Sequence, residues 1–204
     1  MKIKLISAAV RSKSKWSQIM TLSLPAVAAA TPEGHEIAIE DERVKPIRLD
    51  DHPDLVGISF EVFRAYRAYE IADHYRQRHV PVVLGGMHAS VMPEEGLQHA
   101  DAVVVGEADE VWPRVVADAA AGRMRGLYKA DGPVDLARLK PPRLDLLDAS
   151  RYFPLYPIEA TRGCTHACSF CSTRYVRGLG FRTRPVEHVI ADVQRAGNRL
   201  IAFL

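Results

Sequence analysis

The chain has 204 residues, which sets a prior of one full domain and a remainder, or of two small ones. Hydrophobic residues at 48% and charged residues at 25% are ordinary globular proportions and exclude a disordered or fibrous chain. A formal charge of +2, with arginines scattered rather than striped, gives no basis for nucleic acid as a partner. The basic run Lys2, Lys4, Arg11, Lys13 and Lys15 reads as a solvated face. No stretch of about 18 apolar residues occurs, so no transmembrane segment is expected. The segment Ile19–Ala30 resembles a signal core only weakly: it contains Pro25, runs into the turn Thr31-Pro32-Glu33-Gly34 and follows a strand. The expected location is cytoplasmic, which suits three cysteines clustered within eight residues better than a disulfide framework does.

In chain order, Ile3–Ala8 is expected as a first strand and about Trp16–Ala30 as a helix. His35–Glu40 alternates as a second strand, and Asp54–Phe60 is a third, apolar enough to be buried on both faces. Between Val62 and Arg78 the residues Val62, Ala65, Tyr66, Tyr69, Ala72 and Tyr75 recur at three- and four-residue spacing, the mark of an amphipathic helix. Val80–Leu84 is a strand ending in Gly85-Gly86-Met87-His88, and Ala102–Val105 is another ending in Gly106-Glu107. A helix over Glu110–Ala121 stops at Gly122. Five strands alternating with helices predict an α/β fold, a doubly wound parallel sheet in flavodoxin-like order, with its ligand beyond the carboxyl ends of the strands. There is no Gly-x-Gly-x-x-Gly after the first strand and no phosphate-loop lysine motif, so dinucleotide and nucleoside triphosphate binding lose their main support.

Prolines at 133, 141, 142, 154 and 157 mark a connector, with a short helix expected over Leu144–Ala149. The expected division is therefore 1–125 as a first domain, 126–156 as linker and 157–204 as the start of a second. Within the last part, Ile158–Thr161 reads as a strand, Cys164–Arg182 as a loop, Pro185–Ala196 as a helix and Leu200–Leu204 as a strand. The sequence stops at a strand end, where a β/α architecture would place a ligand loop, and a truncated barrel is expected.

Cys164, Cys168 and Cys171 are separated by three residues and then two. Thiolates so spaced on a curling loop can hold three corners of an iron–sulfur cube and leave the fourth iron open. The alternative is zinc, with His166 or a later histidine as fourth ligand. The run Thr161-Arg162-Gly163-Cys164-Thr165-His166-Ala167-Cys168-Ser169-Phe170-Cys171 is similar to the opening of radical S-adenosylmethionine enzymes. That resemblance implies a 4Fe-4S cluster on the three cysteines and S-adenosylmethionine chelated to the open iron and cleaved to a 5′-deoxyadenosyl radical. It also implies Phe170 near the adenine, although Phe170 could equally be a core residue.

The first domain carries a second resemblance. Asp54–Ser59, Arg67-Ala68-Tyr69, Val82–Ala89 and Ala100–Glu107 resemble, in order, the cobalamin-binding domain that precedes the radical barrel in one class of these enzymes. The resemblance implies an incomplete barrel after the doubly wound sheet. It puts a corrinoid against Gly85 and Gly86, where absent side chains let a broad ligand approach the backbone, with Ser59 and Gly106 at neighbouring strand ends. The alternative for Gly85-Gly86 is a tight strand-to-helix turn. The Asp-x-His-x-x-Gly signature of corrinoid proteins that ligate cobalt through histidine is absent. Cobalt is therefore expected without a lower histidine, and His88 is placed on the nucleotide tail or loop backbone. Glu107 is expected to accept hydrogen bonds from the loop or corrin amides, or else to cap the following helix. The family's proline-rich segment after the first strand is replaced by Ser12-Lys13-Ser14-Lys15-Trp16.

The implied activity is radical chemistry leading to methyl transfer to an unactivated carbon of a small-molecule or lipid-like substrate, with cyclisation open and a flavodoxin- or ferredoxin-like reductant. The alternatives are a corrinoid-binding module without catalysis and a zinc-stabilised interaction protein. The family's glycine-rich S-adenosylmethionine loop would fall just past Leu204.

Overall fold

The structure, a computed structural model, describes residues 1–9, 18–173, 176 and 180–204. Its first part is one parallel sheet built from β1 (Lys2–Ser7), β2 (Glu36–Asp41), β3 (Leu55–Ser59), β4 (Val82–Gly85), β5 (Ala102–Val105) and β6 (Gly126–Lys129), in the order β2-β1-β3-β4-β5-β6. This is the flavodoxin-like doubly wound order extended by one strand. β6, at Gly126–Lys129, is the strand beyond the expected five, and it lies past the expected boundary at Arg125. A four-residue segment with alternating exposure on a sheet edge has too little apolar character to stand out.

Helices cover both faces. α1 (Ser23–Ala30) and α5 (Trp112–Ala120) pack with Ile3, Leu5, Leu55, Val83 and Val104 on one face. α2 (Ala65–Gln77), α3 (Met87–Val91) and α4 (Pro93–His99) cover the other, over Ile6, Val56, Ile58, Val82 and Leu84. The expectation that β3 is buried on both faces holds: Leu55 and Val56 are fully enclosed. The expected helix from Val62 opens as a 3₁₀ turn, Val62–Arg64, before α2. Within the expected helix Trp16–Ala30, residues 18–22 are not helical and 16–17 lie outside the described residues, as does the Ser12–Trp16 segment.

The connector runs back along this domain. Tyr152 donates from its hydroxyl to Asp41 Oδ2 at 3.0 Å, and Arg43 grips the same carboxylate. The expected helix over Leu144–Ala149 is instead two separate 3₁₀ turns, Leu144–Leu146 and Ala149–Arg151, the second capped by Asp148. Beyond it, β7 (Leu155–Ile158) and β10 (Leu200–Phe203) pair in parallel across α6 (Val186–Ala196), one β–α–β unit. The single strand expected over Ile158–Thr161 is divided. Thr161–Cys164 is a separate strand, β8, paired antiparallel with β9 (Gly180–Thr183), so part of the expected loop Cys164–Arg182 is a hairpin.

Lys4 corrects the reading of the N-terminal basic run as a solvated face: it is 2% exposed. Its ammonium lies 3.0 Å from Glu40 and 2.8 Å from Asp51, and it donates to the Tyr75 hydroxyl at 3.0 Å and to the Arg48 carbonyl. A charge on the covered face of a central strand is tolerable only with such partners. Lys4→Met leaves the buried Glu40 and the half-buried Asp51 without their central cation. It should lower stability by about 3–5 kcal/mol, the usual cost of breaking a buried pair, and shift the urea midpoint without changing the slope.

Candidate cofactor cleft and cysteine loop

A cleft of ≈ 300 Å³ opens at the carboxyl ends of β1, β3, β4 and β5 on the α1/α5 side of the sheet. Its floor is apolar, made by Leu5, Gly57 and the ring of Trp112, whose indole Nε1 donates to Thr31 Oγ1 at 2.8 Å and is thereby fixed in orientation. Its rim is polar and charged, with Ser7, Ser59, Arg64, Glu107, Asp109 and Arg162. The volume is at the lower end of small-molecule pockets, which run from about 300 to 1,000 Å³. An apolar floor under a polar rim suits one arm of a large amphipathic ligand, with the rest lying across the mouth.

Ser59, Gly85, Gly86, Gly106 and Glu107, the residues expected here, all line this cleft. Their roles separate on closer geometry. A Cβ on Gly85 would meet nothing nearer than Val104 Cβ at 3.9 Å, so the bare backbone at that position is open to a ligand. Gly86 is different: its φ is +94°, and a Cβ there would stand 2.7 Å from the Phe60 carbonyl oxygen and 2.9 Å from Ser59 Oγ. The turn alternative accounts for Gly86, which lets β4 pass into α3 while touching the end of β3. Ser90 stitches this turn to its neighbour, donating from Oγ to the Gly86 carbonyl at 2.8 Å and accepting from the Gly106 N–H at 3.0 Å.

His88 does not line the cleft. It lies on the opposite face of the sheet, its ring centroid 5.7 Å from that of Phe60 and 6.4 Å from that of Tyr69, and its Nε2 faces Glu95 Oε1 at 3.7 Å. The first turn of α3 carries it there, because the Gly86 conformation aims position 88 towards α2 and α4. Glu107 neither caps α5 nor points freely at the mouth. It receives both Arg182 guanidinium nitrogens at 2.7 and 2.8 Å and the Val134 N–H at 3.2 Å. Burial works to raise its carboxyl, but Arg182, Val134 and the Arg162 charge prevail and hold it below the ordinary carboxylate range.

Arg162 and Asp109 line the cleft as a pair that no local spacing in the sequence signals. The Arg162 guanidinium, 8% exposed, pairs with both Asp109 oxygens at 2.7 and 3.1 Å, with Glu159 at 2.8 Å and with Glu107 at 3.5 Å. Asp109 lies 53 positions away along the chain, so no local spacing links the two. Through this network the cysteine segment is joined to the cleft: Arg162, two residues before Cys164, and Val176 both line it.

Cys164 ends β8 half-buried, Cys168 is exposed and Cys171 half-buried, and all three are free thiols. Thr173 hydrogen bonds to the Cys171 sulfur through its hydroxyl and its amide and lowers that thiol below its usual range, while the His166 N–H donates to Cys164 Sγ at 3.4 Å. Soft thiolates with N–H···S support are the donor chemistry of an iron–sulfur cluster. Among the described residues, no three potential ligands converge on one point. The three thiols are donors of the kind used by sites whose ligands order on metal binding. Phe170 is 90% exposed.

Residues 16–116 match the family model of the B12 binding domain. Bacteriochlorophyllide d C-8(2)-methyltransferase of Chlorobaculum tepidum is 36% identical over 89% of this chain and 43% of its own length. Bacteriochlorophyllide d C-12(1)-methyltransferase of the same organism is 31% identical over 90% of this chain and 42% of its own length. The chain belongs to the B12 binding domain family through residues 16–116. It spans less than half the length of these two relatives. The fold agrees with that of the radical S-adenosylmethionine methyltransferase TsrM from Kitasatospora setae, a structure with cobalamin and a 4Fe-4S cluster bound. The TM-score is 0.66 at 18% identity, over 95% of this chain and 45% of that one. Among the described residues no helix is long and apolar enough to cross a membrane.

The two neighbouring glycines of this family member should respond oppositely to a methyl group. Gly86→Ala forces an L side chain into a positive φ against backbone and should destabilise the ligand-free protein by about 1–3 kcal/mol. Gly85→Ala should leave the urea midpoint nearly unchanged and act only on ligand uptake. Equal loss of stability in both would contradict the assignment of Gly85 to the ligand side.

Proposed function

We propose that this chain forms the corrinoid- and cluster-binding part of a methyltransferase that works by radical chemistry. When bound, a 4Fe-4S cluster would supply reductive cleavage of S-adenosylmethionine and cobalamin a transferable methyl group, directed to an unactivated carbon. The observation that carries this reading is that Arg162 and Val176, which flank the cysteine triplet, line the same cleft as Ser59, Gly85 and Gly106. Two chemistries that must meet on one substrate would thus face one another across a single opening.

In this reading Gly85 and Gly106 receive the ligand against bare backbone, Ser7 and Ser59 offer hydroxyls at the rim, and Trp112 shields the floor from water. Cys164, Cys168 and Cys171 hold the cluster, and Phe170, projecting from the same loop, covers the adenine of S-adenosylmethionine. His88, behind the sheet, would not be among the residues that hold cobalamin in the cleft. The two bacteriochlorophyllide methyltransferases and the B12 binding domain support the methyl-transfer class. The acceptor is proposed as a small molecule or lipid-like compound and the electron donor as a flavodoxin or ferredoxin.

Anaerobic reconstitution with iron and sulfide tests the reading directly. The wild-type chain should take up iron with a broad visible thiolate-to-iron absorbance, and Cys164→Ala, Cys168→Ala or Cys171→Ala should each abolish it, since each removes one of only three protein ligands. The same protein should take up hydroxocobalamin. Stoichiometric zinc in place of iron would favour an interaction protein, and cobalamin uptake without iron a corrinoid module lacking radical chemistry.

A further inference from the structure

The β8–β9 hairpin that delivers Cys164 contains an electrostatic conflict. Its register sets Arg162 directly opposite Arg182. Like charges facing each other across an antiparallel pair are destabilising, and a two-stranded hairpin is marginal by itself in water. Here the conflict is resolved from outside the hairpin. Glu107 bridges the two arginines, at 2.7 Å from Arg182 and 3.5 Å from Arg162, and Asp109 takes Arg162 in a two-pronged pair. Both carboxylates belong to the loop after β5, which lines the cleft.

Two further features make the connection stiff. A Cβ on Gly163, φ +92°, would stand 2.1 Å from the Gly180 carbonyl oxygen, so the hairpin strands meet too closely for sliding, and Gly163 immediately precedes Cys164. On the other side Arg182 also donates to the Val134 carbonyl at 2.8 Å while Glu107 accepts from the Val134 N–H, which straps the connector over the joint.

We propose that Arg162, Arg182, Glu107 and Asp109 form a latch that makes occupancy of the cleft and ordering of the cysteine loop interdependent, with Arg182 as a positioning residue. The proposal rests on the corrinoid-and-cluster reading above. A ligand across the mouth displaces water from beside Glu107, Asp109 and Arg162, and a guanidinium–carboxylate attraction strengthens as its surroundings become less polar. The latched hairpin then fixes Cys164, lowering the ordering cost of the cluster. By linkage a loaded cluster favours the cleft in the same proportion.

Hydroxocobalamin is titrated into the full chain, iron-free and after reconstitution, with the visible spectrum giving the affinity. Amide hydrogen exchange of residues 161–164 and 180–183 is followed in iron-free protein with and without cobalamin. Reconstituted wild type should bind about fivefold tighter or more than iron-free protein, within the usual range of coupling between sites, and cobalamin should slow exchange in both hairpin strands. Arg182, which does not line the cleft, is the site to change. Arg182→Met should bring the affinity ratio to one, and Arg182→Lys should keep part of it. If Arg182→Met does not fold, the wild-type ratio and the exchange data still decide. Uptake of both cofactors with independent affinities, or an undiminished ratio in Arg182→Met, overturns the latch alone, whereas uptake of neither overturns it together with the functional reading.

Discussion

The Arg162 guanidinium is the joint on which the two halves of the molecule depend. It is nearly buried and reaches three carboxylates, two from the cleft loop and one, Glu159, from its own segment. The network continues beyond it: Arg184 donates to the Glu159 carbonyl at 2.7 Å and pairs with Asp192 of α6 at 2.6 Å. A line of alternating charge thus runs from the carboxyl edge of the parallel sheet into the β–α–β unit. Burial works against the charge on Arg162, yet the Asp109 and Glu159 hydrogen bonds outweigh it and leave the guanidinium held more firmly in its charged form than in water. Removing one partner would strand the rest in a poorly solvated place, so this set of charges selects one arrangement of the two units more than it adds stability.

Much of the sheet was legible because its central strands are buried on both faces. β3 and β4 are short, continuous apolar runs closed by glycine or serine, and hydrophobic patterning identifies such runs well. β6 and β9 were not legible for the opposite reason. Gly126–Lys129 lies at a sheet edge, and Gly180–Thr183 is mostly exposed, so neither needs the apolar pattern that marks a strand. Lys4 shows the limit of reading charge as surface. Its neutralising partners lie 36 positions and more along the chain, in segments that only the fold brings together.

At the candidate site, sequence marked positions better than it marked purposes. Backbone features at strand ends were visible, since Gly85-Gly86 and Gly106 have few roles outside turns and ligand approaches. Which glycine serves which role depends on what lies opposite, and the Phe60 carbonyl beside Gly86 is not a sequence property. His88 stands away from this cleft for a related reason: a histidine at a strand end suggests the cleft side, but the first turn of α3 carries it among Phe60, Tyr69 and Glu95. Side-chain direction on a helix follows the angle of its first turn, which here is set by one positive-φ glycine.

Among the described residues the three thiols of the cysteine loop do not converge on one point, and their disposition has a physical logic. Three thiolates gathered without metal would repel one another and lie unsolvated, so a preformed cage would have to be forced by packing. Instead Cys168 and Phe170 are exposed, and the Cys164 end is fixed by the hairpin and the arginines behind it. In the proposed reading, the cost of bringing the three thiols together would fall on the binding of metal and sulfide. Fixing one end shortens the stretch that must close and reduces that cost, while leaving the open side of the loop free to face whatever enters the cleft.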